Sequence, residues 1–196
     1  MPAVVGLSDG SLADELRRVL REASRLEARR AELIAEADRR CLPARQGFGS
    51  TIAWLVALSG DPAAVCRSRL GVAESLREMP ETKAAFAAGD LPESRVRLLA
   101  QVRESAPEQF ARDEAALVAK ATAASSQRLP RVLHEWRQAT DPEGAEADTE
   151  RAFARRALRL SPGLVLGMLH IDGDLDPESG TVVQTALRAL SESAAL

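Results

Sequence analysis

The sequence predicts a mainly α fold: a multi-helix bundle with a long N-terminal helix and a C-terminal β-hairpin followed by a capped helix. Three observations predict it. A heptad pattern fills the first forty residues, prolines separate the apolar stripes that follow, and strand-like sequence begins only near Ala157. With 45% hydrophobic residues in 196, the chain can bury a core within one domain. We expect a single helical domain over 1–196, with the long helix at 11–40, a helical core at 50–140, and a helix, hairpin and final helix at 150–196.

The first helix is predicted to begin at Ser11, because Asp14 follows it at capping-box spacing, and to end before Pro43. Its apolar residues recur every seven positions, at Leu12, Val19, Leu26 and Leu33, with Leu16, Ala23 and Ala37 in the neighbouring row, which Arg30 interrupts. Two interpretations stay open: packing against the rest of the same protein, or a two-stranded coiled coil. The opposite face mixes arginine with glutamate, which is typical of a solvated face whose charges pair with each other.

Helix boundaries in the middle of the chain follow from caps, prolines and glycines. Ser50 is expected to cap a helix that Gly60 ends, and Asp61 to cap one that runs to Met79. Later helices are predicted to start at Pro80, Pro92 and Pro107, the first of them closed by Gly89, and another is predicted around Leu129, Val132, Leu133 and Trp136.

The last third contains the expected linker and hairpin. The acidic segment 141–148 is predicted to be a linker because it contains a proline and a glycine. Leu158 and Leu160 lie on one face of the first predicted strand, a turn is expected at 161–163, and the second strand at 164–171. Asp176 is then expected to cap the helix that Pro177 begins.

The sequence predicts no cofactor, no metal site and no catalytic residue. Cys41 and Cys66 are too far apart for a metal knuckle, and Cys66 fits a buried apolar stripe. His134 and His170 are isolated, and Gln138 stands where a zinc-binding helix would need a second histidine after His134.

A calcium loop is also rejected, although three alternate aspartates resemble one. The loop would need a glycine where Pro177 stands and a glutamate where Val183 stands. The three aspartates are Asp172, Asp174 and Asp176.

Charge and hydropathy limit the partners. The chain has 26 basic and 29 acidic residues, for a net charge of -3, so attraction to a polyanion must come from a local patch. Residues 91–140 hold eight bases and six acids (+2), whereas residues 141–196 hold ten acids and five arginines (-5), which argues against DNA contact there. The start lacks a signal-peptide pattern and the longest apolar run, 52–58, is far below the roughly 20 residues of a membrane helix. We expect a cytoplasmic protein with no membrane partner.

Several segments together resemble a large actinobacterial family known as domain of unknown function 222. They are Trp54 and Leu55, the stretch from Leu76 to Pro80 ahead of Gly89, and the run 175–178, Leu-Asp-Pro-Glu, within a likeness that extends from Leu12 to about Ala189. These residues are architectural. The resemblance implies an HNH endonuclease after this region, in proteins of mobile or repeated elements, so that this chain is a fragment without the nuclease. With only two histidines and no asparagine, it cannot hold the nuclease ion itself.

Two functional hypotheses follow. The first is a non-catalytic module associated with an HNH endonuclease, which engages or positions DNA through a local arginine surface. Its candidate residues are Arg67 and Arg69 after Asp61, with Arg95, Arg97 and Arg103 after Pro92. The alternative is a protein-interaction or oligomerisation module that associates with itself or with another helical protein through the heptad helix. An enzyme in its own right has no supporting motif, and no small-molecule substrate can be identified.

Overall fold

The computed structural model describes residues 6–155, 157–162 and 169–194. As predicted, the fold is mainly α. The chain forms two compact units, Met1–Thr140 and Asp141–Leu196. The first unit holds α1 (Asp9–Arg39), α2 (Leu42–Arg45), α3 (Thr51–Ser59), α4 (Ala63–Ser75), α5 (Pro80–Ala88), α6 (Glu93–Ser105), α7 (Pro107–Ala123) and α8 (Leu129–Thr140). The second holds α9 (Pro142–Arg155), β1 (Ala157–Pro162), β2 (Leu169–Asp174) and α10 (Pro177–Ala194).

Helix α1 is the predicted long helix, but its cap lies earlier than expected. The hydroxyl of Ser8 caps the helix by accepting a hydrogen bond from the backbone N–H of Ser11 at 3.3 Å. Ser11 is therefore inside the first turn, and the capping-box prediction at Ser11 and Asp14 is wrong by three residues. Both serines offer the same hydroxyl, and the earlier one lets the helix add another turn before its cap.

The boundaries of α3, α4 and α5 mostly match the prediction. The Ser50 hydroxyl accepts a hydrogen bond from the amide of Ala53 at 3.1 Å, and Gly60 ends α3 in the left-handed conformation. Asp61 does not cap α4, because its carboxylate is bonded to Arg69 instead. Helix α4 also stops before Met79: it ends at Ser75 and passes into a short 3₁₀ turn over Leu76–Glu78.

The core of the first unit is aromatic and aliphatic. Its largest fully buried side chains come from α5, α6, α7 and the residues that adjoin them: Phe86, Phe110, Met79, Leu91 and Leu99. Cys66 is buried as predicted. Two charged side chains of this unit are buried, Glu114 and Arg137. The carboxylate of Glu114 accepts a hydrogen bond from the backbone N–H of Thr82 at 2.8 Å in the first turn of α5.

In the second unit, the predicted linker is wrong: α9 spans 142–155, because Asp141 caps it through the Gly144 amide at 3.0 Å. The hairpin is confirmed, with β1 and β2 antiparallel from Ala157 opposite Asp174 to the pair at 162 and 169. Residues 161–162, predicted as turn, extend β1 instead, because they pair with β2. Part of the predicted second strand, 164–168, lies outside the described residues. The Asp176 carboxylate caps α10 through Ser179 at 3.0 Å, as predicted.

Candidate functional site

The side of α1 that meets the rest of the first unit is formed mainly by small residues. Its buried residues begin only at Ser24; they are Ser24, Ala28, Ala31, Ile34 and Ala37, which we call the inner face. Small side chains let helices approach closely, and the end of α5 shows how closely. A Cβ on Gly89 would lie 2.7 Å from the carbonyl oxygen of Arg21, and Gly89 has a φ of +82°. Polar bonds add to this contact, including one from the Arg25 guanidinium to the Ala88 carbonyl at 3.0 Å.

The large apolar residues of α1 lie outside the core. Their exposed fractions range from 44% at Leu12 to 69% at Leu26. We call this set the outer stripe; it consists of Leu12, Leu16, Val19, Leu20, Leu26 and Leu33. At about 1.5 Å per residue it extends for roughly 32 Å along the helix. Packing against the same protein therefore uses the inner face, and the predicted heptad rows are left largely in solvent.

The remaining face of α1 carries the charges that the sequence predicted to pair with each other. Arg18 contacts Glu15 at 2.5 Å and Arg29 contacts Glu32 at 3.0 Å, and similar pairs continue to the end of the helix. Hydrogen bonds from Arg39 and Arg40 lower the pKa of the Glu36 carboxyl to about 2. Hydrogen bonding by Arg18 likewise lowers the pKa of the Glu15 carboxyl.

Most of the five candidate arginines bind groups of the protein itself. Arg69 is hydrogen-bonded to the Asp61 carboxylate, and Arg103 forms an ion pair with the Glu78 carboxylate. Arg95 donates to the carbonyl of Ala121 at 2.5 Å, at the C-terminal end of α7. Such contacts satisfy guanidinium donors that a phosphate would otherwise take. The other two are more available: Arg67 is exposed on α4, and Arg97 is exposed on α6 with a long 3.4 Å contact to the Ser68 hydroxyl.

An open cleft of about 540 Å³ lies between α1, α4 and α6. Among the candidates, only Arg69 and Arg97 line it, so the structure brings these two together and leaves Arg67, Arg95 and Arg103 outside its lining. Arg30 of α1 is a third arginine there, and two glutamates, Glu27 and Glu93, balance part of the positive charge.

Arg30 is a residue of the cleft that the sequence did not mark as a site residue. It was interpreted only as an interruption of the heptad rows, but its guanidinium is bonded to the Glu93 carboxylate across the cleft. A charged residue within an apolar row indicates that an oppositely charged side chain lies nearby in the fold. The partner is 63 residues away in the sequence, so no local pattern could have identified it.

Within 6–155, 157–162 and 169–194, no cluster of three or more His, Cys, Asp or Glu side chains is placed to hold a metal ion. Over the same part of the chain, no helix has both the length and the apolar character needed to cross a membrane.

The fold and these surfaces define a helical module in which the outer stripe of α1 is exposed. Its family is that of the domain of unknown function DUF222: the family model matches residues 13–195, and the chain belongs to this family. The family resemblance inferred from the sequence is confirmed. No curated protein and no solved structure gives a significant match.

Proposed function

We propose that the chain is an oligomerisation module that associates through the outer stripe of α1. The observation that carries this proposal is the exposure of six large apolar side chains along one side of one helix. Contiguous exposed apolar surface of this kind marks interaction sites.

The energetics favour a partner that brings apolar surface of its own. Covering a half-exposed leucine or valine contributes about 1 kcal/mol, which is half of what full burial gives. Six such side chains give roughly 6 kcal/mol, whereas association costs about 4–15 kcal/mol in lost freedom. If the partner's surface opposite the stripe were polar, little net free energy of association would remain. A second apolar helix doubles the gain, and a second copy of this chain supplies one.

The test is the mass of the protein in solution as a function of concentration. We expect sedimentation equilibrium to show a reversible oligomer, and Leu26→Asp to weaken it more than tenfold because the aspartate would be buried in the interface. Ala84→Asp is the matched control, because Ala84 is exposed on α5 and the substitution adds the same charge. A monomer at all concentrations, or equal loss in both variants, would contradict the proposal.

A second candidate function is DNA engagement on behalf of an HNH endonuclease carried elsewhere. The exposure of Arg67 and Arg97 on neighbouring helices favours it. Steep salt dependence is expected of phosphate contacts. Fluorescence anisotropy with a labelled duplex should then show affinity that falls with added salt and drops in the Arg67→Ala, Arg97→Ala double variant.

The matched control for DNA binding replaces two other exposed arginines, Arg17 and Arg18, which pair with carboxylates on α1. Arg95 is a poor choice for this test because its removal also deprives α7 of a C-terminal contact. If no binding occurs at low salt, or if the control variant loses as much affinity as the test variant, DNA engagement by this surface is ruled out.

A further inference from the structure

We propose that the outer stripe pairs with the outer stripe of a second copy running in the opposite direction, so that the first half of each α1 lies along the second half of the other. This inference rests on the proposed oligomerisation and adds which residues meet. It depends on the two heptad rows of α1. The leucine row holds Leu12, Val19, Leu26 and Leu33. The mixed row holds Leu16, Ala23 and Arg30 before it reaches Ala37, which belongs to the buried inner face.

The mixed row argues against a parallel pair. In a parallel two-stranded pair each residue of a row faces its own counterpart, so Arg30 would face Arg30 of the second copy. In an antiparallel pair centred near Arg21, each row faces the other row over residues 12–30. Arg30 then faces Leu12 near the end of the contact, and its guanidinium keeps its bond to Glu93.

The charges beside the rows give a second argument. A parallel pair brings Glu22 of each copy next to Glu27 of the other, which places like charges together twice. The antiparallel pair centred near Arg21 brings Glu15 next to Arg29 of the other copy twice, with opposite charges, and brings Glu22 next to Glu22 only once. Both of these side chains are exposed enough to exchange their pairing within the helix for one across it.

The packing of α1 also fits the antiparallel arrangement. Residues 9–20 contain no buried residue, whereas the inner face of the second half meets the core. In an antiparallel pair centred near Arg21, residues 9–20 of each α1 lie beside the second half of the other α1, which carries the inner face. The cores of the two copies are then at opposite ends of the contact.

The arrangement has a consequence for the cleft. Glu27 and Arg30 form its α1 wall. With Leu12 opposite Arg30, the first turns of the second copy's α1 lie along that wall. Each cleft is then completed by the other copy, so that a ligand of the cleft would meet residues of both chains.

Cysteine cross-linking tests the direction of the pair. In a Cys41→Ser background, Leu16→Cys and Leu26→Cys proteins are oxidised separately and as a mixture, with different tags; Cys66 is buried and stays. The antiparallel pair places positions 16 and 26 side by side, whereas positions 16 and 16 are about 15 Å apart along the axis, too far for a disulfide. We expect at least about ten times more cross-linked dimer in the mixture than in either protein alone. Arg18→Cys, on the charged face, replaces Leu16→Cys in the control mixture.

The outcomes separate the two proposals. Cross-linking of Leu16→Cys alone would overturn the antiparallel pair and leave oligomerisation through the stripe intact. An oligomer that cross-links in none of the samples would also overturn it. A monomer in sedimentation, with no cross-link anywhere, would overturn both proposals.

A charge exchange gives a second test that leaves the apolar rows intact. Glu15→Arg alone should weaken the oligomer about threefold or more, because it faces Arg29 of the other copy twice. Adding Arg29→Glu should restore the affinity. If the double variant is as weak as the single one, the antiparallel pair is wrong, whereas the effect of Leu26→Asp on oligomerisation still stands.

Discussion

The inner face and the outer stripe of α1 differ in a way that reverses ordinary burial. Alanines lie against the core and leucines lie in solvent, although leucine gains more from burial than alanine. Small residues are needed on the inner face because the α5 end approaches the α1 backbone at Gly89. The lesson is that the apolar residues with the clearest repeat need not be the ones that hold a helix to its own protein.

Enlarging an inner-face residue should have the largest effect on stability. Ala28→Leu adds three carbons to a closely packed contact, and we expect a loss of about 1–3 kcal/mol in the free energy of unfolding. Leu26→Ala, two residues away on the outer stripe, should change it by less than about 0.5 kcal/mol for the monomer. Urea unfolding at low protein concentration measures both. Equal losses of unfolding free energy in the two variants would contradict the proposed difference between the inner face and the outer stripe.

Arg30→Leu sharpens the comparison because Arg30 stands in the mixed heptad row, while its guanidinium is bonded to Glu93 of the same protein. The variant extends the mixed row with an apolar residue, so we expect the oligomer to tighten several-fold. It also leaves the largely buried Glu93 carboxylate without its arginine, so the free energy of unfolding should fall by about 1 kcal/mol. Sedimentation and urea unfolding of the same preparation should therefore move in opposite directions. If the affinity of the oligomer and the free energy of unfolding both rise or both fall, the separation of the two faces is contradicted.

Removing residues 1–20 compares the two halves of α1. Since residues 9–20 bury no side chain, the shortened protein should unfold within a few degrees of the full chain when both are monomeric. Its oligomer should be lost, because four of the six residues of the outer stripe are gone. Thermal unfolding followed by circular dichroism, at a concentration below that of association, gives the first result. A large fall in Tm would show that the first half supports the core.

The smallest expected effect concerns acid. The Glu36 carboxyl has a pKa of about 2 against an ordinary 4.5, so its bonds to Arg39 and Arg40 add stability that is fully present above pH 4.5. That contribution is lost as the pH falls from 4.5 toward 2. A carboxylate titration by NMR should place the Glu36 midpoint near 2, and Glu36→Gln should flatten the acid dependence of helix content slightly. A midpoint near 4.5 would contradict the pairing.

Local signals predicted most helix boundaries and failed where a distant residue intervened. Gly60, Pro80 and Gly89 end or begin helices by their own backbone preferences, and these predictions are confirmed. Asp61 was expected to cap α4, but Arg69 takes its carboxylate. The heptad pattern identified the apolar residues of α1 correctly, yet could not show that the alanines between them form the buried side.

Among the candidate arginines, the sequence could name residues but not their bonds. Arg95 and Arg103 find their partners 26 and 25 positions away, and nothing in the spacing of either arginine indicates such contacts. Only Arg67 and Arg97 keep the exposure that the DNA hypothesis needs.

The close approach of Gly89 to Arg21 is also the point about which the first part of α1 can tilt. About 18 Å of helix, residues 9–20, extends beyond that point, so a tilt of some 10° there would swing the tip by roughly 3 Å. Gly89→Ala would press a methyl group on the backbone at that position and force such a tilt. The position of the N-terminal end of α1 thus depends on the absence of a side chain at Gly89.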